Sequence, residues 1–261
     1  MTNIVVLVKQ VPDTYSERKL SGADHTLDRE SADAVLDEIN EKAVEEALKI
    51  KEAGEGEVTV LSVGPDRATD AIRKALSMGA DKAIHVSDEA LHGSDAIATA
   101  KVIAAAIAKV ENYDLIIAGN ESSDGRGGAV PAILAELLGL PQVTYAREVT
   151  VEGATIKAVR ETEDGLTRLE ATLPAVVSVG EKINEPRYPS FKGIMAAKKK
   201  PVETFTIADL GVDAGEVGLA NAWSTVTEAS PKPPRTAGEK TEDEGDGGTK
   251  VAEYLVGQKL I

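Results

Sequence analysis

Residues 119–128, GNESSDGRGG, are polar and hold four glycines, and Pro131 follows them at the head of an apolar-striped segment. Proline is tolerated in the first turn of a helix. The loop therefore predicts a helix opening there, with Ile133, Leu134, Leu137 and Leu138 on its apolar face. A glycine-rich loop feeding a helix start offers free backbone N–H groups and the positive end of a dipole, an anion site by geometry. Gly127 and Gly128 let the backbone approach a phosphate. Arg126 supplies a charge-assisted contact, and Asp124 either accepts from a ribose hydroxyl or orders the loop. The same composition also suits a surface loop without a ligand, because glycine-rich loops discriminate weakly.

Other chemistry is hard to place on this chain. It has no cysteine, which excludes disulfides, thiolate catalysis and cysteine-ligated metals, and fits a cytoplasmic protein. Of the three histidines, His85 lies in an apolar run, KAIHV, as a core imidazole, and His25 and His92 flank glycine-containing loops. None has metal-ligand spacing. There is no GxSxG elbow and no GxxxxGK[ST] phosphate loop. We expect no metal site and no catalytic constellation, so the chain is not expected to be an enzyme in itself. A net charge of −15 argues against nucleic acid as the main partner. The first apolar run ends at Lys9, and no run of about 18 apolar residues follows, so neither a signal peptide nor a membrane span is expected.

The elements that must position the loop follow a strand–helix alternation. NIVVLV (3–8) reads as a buried first strand, ending in a polar loop at Lys9–Asp13. Residues 14–35 show no clear period and read as an ordered excursion. Asn40 is placed to cap a helix, EKAVEEALKIKEA, which stops at Gly54. EVTVLSV (57–63), a second helix ending at Gly79, KAIHV, a long Ala- and Ile-rich helix and DLIIA (114–118) complete the series. This order implies an α/β fold with a doubly wound, mostly parallel sheet of Rossmann-like type. Ligands of such sheets bind at the carboxyl edge. Residues 143–179 then alternate apolar and polar with turns at Gly153 and Gly165, and read as an antiparallel extension.

The stretch 173–201 begins as a buried strand, Ala175–Val179, and then breaks. Pro186 and Pro189 favour an extended path. Phe191, Ile194 and Met195 follow, in a segment too short and interrupted for a core helix. The chain has only two phenylalanines, so one of them placed beside a methionine here suggests a contact anchor. Lys198, Lys199 and Lys200, taken alone, read as a solvated run. Residues 228–250 are rich in Pro, Gly and charge, and alone would not order. The end, VAEYLVGQKLI, recovers apolar spacing at Val251, Tyr254 and Leu255, enough for a short docking helix. We therefore divide the chain into a body, 1–227, with a contact loop at 179–201, and a C-terminal arm, 228–261. Trp223 is placed to anchor the arm.

NEPRYPS, then Phe191, then Ile194-Met195 and AKKKP, is similar to the signature of the electron transfer flavoprotein β subunit. The resemblance runs over nearly the whole chain. Ser62-Val63-Gly64-Pro65 and Met78-Gly79-Ala80-Asp81 also resemble the family. It implies an electron carrier working with an α subunit that holds most of the FAD. Electrons come from acyl-CoA dehydrogenases of fatty acid β-oxidation and pass toward the quinone pool through the electron transfer flavoprotein–quinone oxidoreductase. It implies structural AMP on this chain, with contacts carried over to Leu7, Asp37, Glu38, Ile39, Asn40, Val63, Gly119, Asn120, Glu121, Ser122, Ser123, Asp124, Gly125, Arg126 and Gly127. It also implies a dehydrogenase-recognition loop over Asn184, Glu185, Pro186, Arg187, Tyr188, Phe191, Ile194 and Met195. Phe191 stands where the family usually has leucine. Arg126-Gly127-Gly128 stands where many members have a longer loop ending in Gln-Thr-Gly. Tyr15 is placed near the flavin ring, and the arm embraces the α subunit. Alternatives are an electron-bifurcating β subunit with a second FAD and a module similar to the universal stress proteins. An ATP pyrophosphatase of related fold lacks support, since Lys9–Asp13 replace its Ser-Gly-Gly loop.

Overall fold

Ile4–Leu7 form strand β1, near the middle of a nine-stranded sheet. The computed structural model describes residues 1–235, 237–238 and 240–261, and divides into a unit of Met1–Val226 and one of Thr227–Ile261. In the first unit β1 pairs in parallel with Val58–Val63 (β4) on one side and with Leu115–Gly119 (β6) on the other. Lys82–Val86 (β5) pairs in parallel with β4, and Val202–Phe205 (β11) with β5. Four helices alternate with these strands: Glu38–Ala53 (α1), Thr69–Met78 (α2), Ala96–Ile107 (α3) and Val130–Leu138 (α4).

Alternation along β1 explains why its residues are all apolar. Ile4 and Val6 pack into the core on the side of α1 and α2, through Val44, Leu48, Ile72 and Leu76. Val5 and Leu7 pack on the other side against α3 and α4, through Val102, Ile107 and Leu134. A strand covered on both faces favours a near-continuous apolar run.

The other side of β6 differs from the sequence expectation. Residues 143–179 are not one antiparallel meander. Gln142–Glu152 (β7), Thr155–Thr162 (β8) and Gly165–Thr172 (β9) form antiparallel pairs. Ala175–Val179 (β10), however, inserts between β6 and β7, parallel to both. Its residues are all buried, whereas β9 is largely exposed. The chain thus crosses from a wet edge to the sheet interior within the few residues after Thr172.

Two further corrections concern local structure. The cap of α1 is Asp37, not Asn40: Asp37 Oδ1 accepts from the N–H groups of Ile39 at 3.0 Å and Asn40 at 3.1 Å. Asn40 lies inside the first turn. The segment after Pro189 is a short surface helix, Phe191–Ala197 (α5), with Ser190 Oγ accepting from Gly193 N–H at 3.0 Å. Residues 14–35 are an excursion rooted on a small hairpin of Gln10–Pro12 (β2) and Ala34–Leu36 (β3). His85 is a satisfied core imidazole, with Nε2 at 3.0 Å from Gly64 O.

The second unit carries a helix, Gly247–Gly257 (α6), which starts ahead of the apolar spacing that announced it. Val251 and Tyr254 on it are exposed within their own unit. Among the described residues, no helix is long and apolar enough to cross a membrane.

Ile117, fully buried in β6, reports on the core. Ile117→Ala is expected to lower the unfolding free energy by about 2–5 kcal/mol in denaturant titration, through lost transfer energy and a cavity. A change under about 1 kcal/mol would place β6 outside the cooperative core.

Candidate functional site

The chain leaves β1 for β4 and β5 on one side and later returns to β6 on the other. The carboxyl ends of β1 and β6 therefore flank a topological switch point, where open α/β sheets bind ligands. The residues expected at a nucleotide converge on this edge. Leu7 ends β1, Val63 ends β4, Glu38, Ile39 and Asn40 open α1, and Gly119 ends β6 ahead of the loop to Gly128. The edge is close-packed at one point: a methyl group on Gly119 would meet Asn40 Nδ2 at 2.6 Å and Ile39 Cγ2 at 3.0 Å.

Two carboxylates fold the loop, and both are sealed from solvent against protein donors. Asp37 is fully buried. Besides capping α1, its Oδ2 accepts from Ser123 N–H at 2.7 Å, which ties the loop to the helix start. The Asp124 side chain is 0% exposed and receives Lys9 Nζ at 2.9 Å, Arg29 Nη2 at 2.8 Å and Ser122 Oγ at 2.7 Å. Burial opposes the charge on Asp124. Lys9, Ser122 and Arg29 outweigh that and hold its carboxyl at about 2. Burial also pulls the Lys9 ammonium below its ordinary value, against the attraction of Asp124. Of the two roles open to Asp124 from sequence, the geometry supports ordering of the loop.

What faces outward is largely backbone, with Arg126 more exposed than Lys9 or Arg29. A side chain at Gly125 or Gly127 would meet nothing within 4 Å, so the backbone there is open to approach. Gly128 has φ +63°, and Arg126 also sits in the left-handed region with φ +49°. The Arg126 side chain is 60% exposed and touches Glu121 Oε1 at 3.1 Å. Helix α4 starts without a side-chain cap, so its first N–H groups are available to an acceptor. On the loop itself, Asn120 Oδ1 and Ser123 Oγ are buried without a hydrogen-bond partner among the described residues. Buried polar atoms are normally paired, so these orphans next to an open glycine loop fit a polar ligand. A phosphate or ribose group suits that set.

Lys9 and Arg29, which order the loop through Asp124, are the site-edge residues that sequence reasoning missed. A lysine closing a buried strand was the available signal for Lys9. Arg29 lies in the aperiodic excursion and gave none. It reaches the loop because Arg67 Nη1 donates to Arg29 O at 2.8 Å and holds the excursion over the sheet edge. Tyr15 is 98% exposed on the same excursion.

The second candidate surface is the loop of residues 184–195. Tyr188 is 95% and Phe191 81% exposed, and Ile194 and Met195 beside them are about half exposed. Asn184 and Arg187 instead point inward, to α1. Asn184 Nδ2 donates to Glu46 Oε2 at 2.9 Å, and Arg187 Nε donates to Glu45 Oε2 at 2.7 Å. Burial raises the Glu46 carboxyl, and the Asn184 amide only partly offsets it. Glu185 is exposed and Pro186 partly so. Trp223 is 82% exposed in the first unit.

Asp124 titrates lower folded than unfolded, so its stabilisation is fully present above about pH 4 and is lost as pH falls through about 2. Asp124→Asn is expected to cost about 2 kcal/mol at neutral pH. The gap in thermal midpoint from the parent should narrow steadily below about pH 4. A gap independent of pH would show that the carboxylate charge does not hold the loop.

The comparisons identify the family of the chain. The family model described as "Electron transfer flavoprotein domain" matches residues 24–210. The electron transfer flavoprotein subunit beta of Mycobacterium tuberculosis (strain ATCC 25618 / H37Rv) is 65% identical over 266 aligned positions, covering 100% of both chains. The subunit of the same name from Thermoanaerobacterium thermosaccharolyticum is 42% identical, covering 91% of each. The caffeyl-CoA reductase-Etf complex subunit CarD of Acetobacterium woodii is 37% identical, covering 90% of this chain and 89% of its own. A mostly parallel sheet with its switch point at a glycine-rich loop, and a 65% identical relative matched along its full length, place this chain in the electron transfer flavoprotein family, as a β subunit.

Proposed function

We propose that this β subunit holds AMP at the β1–β6 edge and presents residues 184–195 to acyl-CoA and related dehydrogenases. The observation that carries the nucleotide reading is the orphaned pair Asn120 Oδ1 and Ser123 Oγ beside the open backbone of Gly125 and Gly127. Loop N–H groups, the start of α4 and Arg126 hold the phosphate. Leu7, Val63 and the first turn of α1 line the rest. Asp37 and Asp124 are buried against protein donors and act by shaping the loop. AMP does no chemistry here. Bound to the folded state alone, it stabilises that state by mass action.

FAD belongs chiefly to the α subunit and supplies the electron-accepting chemistry. This chain's part is binding, orientation and electrostatic setting. Electrons then pass toward the quinone pool through the electron transfer flavoprotein–quinone oxidoreductase. Residues 228–261 serve as an arm on the α subunit, with Val251 and Tyr254 of α6 as the apolar contacts. We place the protein in the cytoplasm.

Nucleotide released by heating the purified heterodimer decides the ligand. Chromatography is expected to give about one AMP per β chain and about one FAD per heterodimer. A second FAD in place of AMP would instead make this an electron-bifurcating subunit, and no second nucleotide at all would overturn the site.

Phe191→Ala tests the docking surface. An exposed aromatic that fills a partner pocket carries much of the binding energy. The rate of flavin reduction by limiting dehydrogenase is expected to fall about 10- to 30-fold, with flavin content intact. An unchanged rate would remove residues 184–195 from partner recognition.

A further inference from the structure

The exposed residues of 188–195 sit between two anchors, and each anchor is more elaborate than a surface loop needs. On the amino side, the Arg187 guanidinium bridges two carboxylates of α1. Nε and Nη2 meet the two oxygens of Glu45, at 2.7 and 3.0 Å, and Nη2 also meets Glu52 Oε2 at 3.0 Å, with Nη1 on its other oxygen. Glu45 also accepts from the Arg187 backbone N–H at 3.1 Å. Three residues earlier, Asn184 O accepts from Lys42 Nζ at 2.7 Å, and Asn184 Nδ2 donates to Lys42 O at 3.0 Å. The Glu45 side chain is only 6% exposed, so this pairing is screened little by water.

On the carboxyl side, α2 and α5 satisfy each other's ends. Arg73 Nη1 donates to Ala197 O at 2.6 Å and Lys200 O at 2.9 Å. Lys200 Nζ donates back to Leu76 O at 3.0 Å, at the end of α2, and to Ala80 O just past it. Carbonyls at helix ends need such donors. The two helices lie so close that a methyl group on Gly193 would stand 2.4 Å from Ser77 O.

We propose that Arg187, Gly193 and the Arg73–Lys200 exchange are positioning residues that hold Phe191 preset for a partner pocket. This rests on the reading of 184–195 as the docking surface. A segment of seven helical residues cannot hold its shape by propensity alone. Fixing it beforehand removes an ordering cost from the encounter. Lys192, Lys198 and Lys199 are exposed around the apolar group in a chain of net charge −15. The partner surface that fits is an apolar pocket rimmed by carboxylates.

The test uses the whole flavin-loaded heterodimer and a substrate-reduced acyl-CoA dehydrogenase, with KM for the dehydrogenase as the readout. Arg187→Lys keeps the charge and removes the two-carboxylate fork, and Gly193→Ala forces α5 off α2. Each is expected to raise KM about 5- to 20-fold. Placed in a Phe191→Ala background, each should have less than about a two-fold further effect, because the group they position is gone. Glu52→Gln, which loses only the outer half of the fork, should give a smaller rise. Equal effects in both backgrounds, or no effect in the Phe191 background of the parent, would overturn the proposal while leaving the docking surface in place. A Phe191→Ala variant with unchanged KM would remove the docking surface itself, and the positioning proposal with it.

Discussion

A carboxylate sealed from water must find its donors inside the protein, and Asp37 finds them on two elements at once. Its Oδ1 takes the N–H groups that begin α1, and its Oδ2 takes the N–H of Ser123. One residue therefore fixes both the start of a helix and the position of a loop far along the chain. Asp124 repeats the device one residue after that contact, drawing in Lys9 from the end of β1 and Arg29 from the excursion. Removing either set of donors would leave a buried charge unpaired, which is far costlier than losing a surface ion pair. The site's geometry is set by this requirement before any ligand enters.

The consequence is a division of labour at the switch point. Acidic side chains are spent on the protein, and the groups left over are backbone amides, neutral side-chain oxygens and one arginine. That bears on the proposed phosphate site, since a chain of net charge −15 is a poor long-range attractor of anions. Local dipoles and N–H groups act over a few ångströms, where the overall charge matters less than which atoms point inward. Glycine at 125 and 127 keeps that approach open.

The parts of this arrangement legible in the sequence are those with local causes. The apolar runs of β1, β4, β5 and β6 and the stripes of α1 to α4 follow from burial on known periods. The glycine-rich loop and Pro131 announce a helix start because only a few residues tolerate those conformations. Pairing across the chain leaves no such mark. Nothing in AVVSV says that β10 enters between β6 and β7, and the alternation preceding it pointed to an antiparallel return. Asn40 looked like a cap because its type suits one, but Asp37 was as suitable and won through its third donor, Ser123, which only the fold supplies. Arg29 became visible only once Arg67 was seen to hold the excursion in place.

Helix α5 is the sharpest case of tertiary structure overriding local signal. Two prolines precede it and Gly193 lies within it, and glycine inside a helix costs about 1 kcal/mol relative to alanine. The glycine is nevertheless required, because any side chain there would collide with α2. The helix forms because Ser190 caps its start and donors from α2 and its own tail satisfy its end. Helix α1 then connects the two surfaces of the protein. Its first turn lines the carboxyl edge of the sheet at the switch point, while Glu45, Glu46 and Glu52 further along hold the loop that leads to Phe191. Both surfaces are thus referred to one rigid rod, and the buried carboxylates along it, costly as they are, locate each surface relative to the same axis.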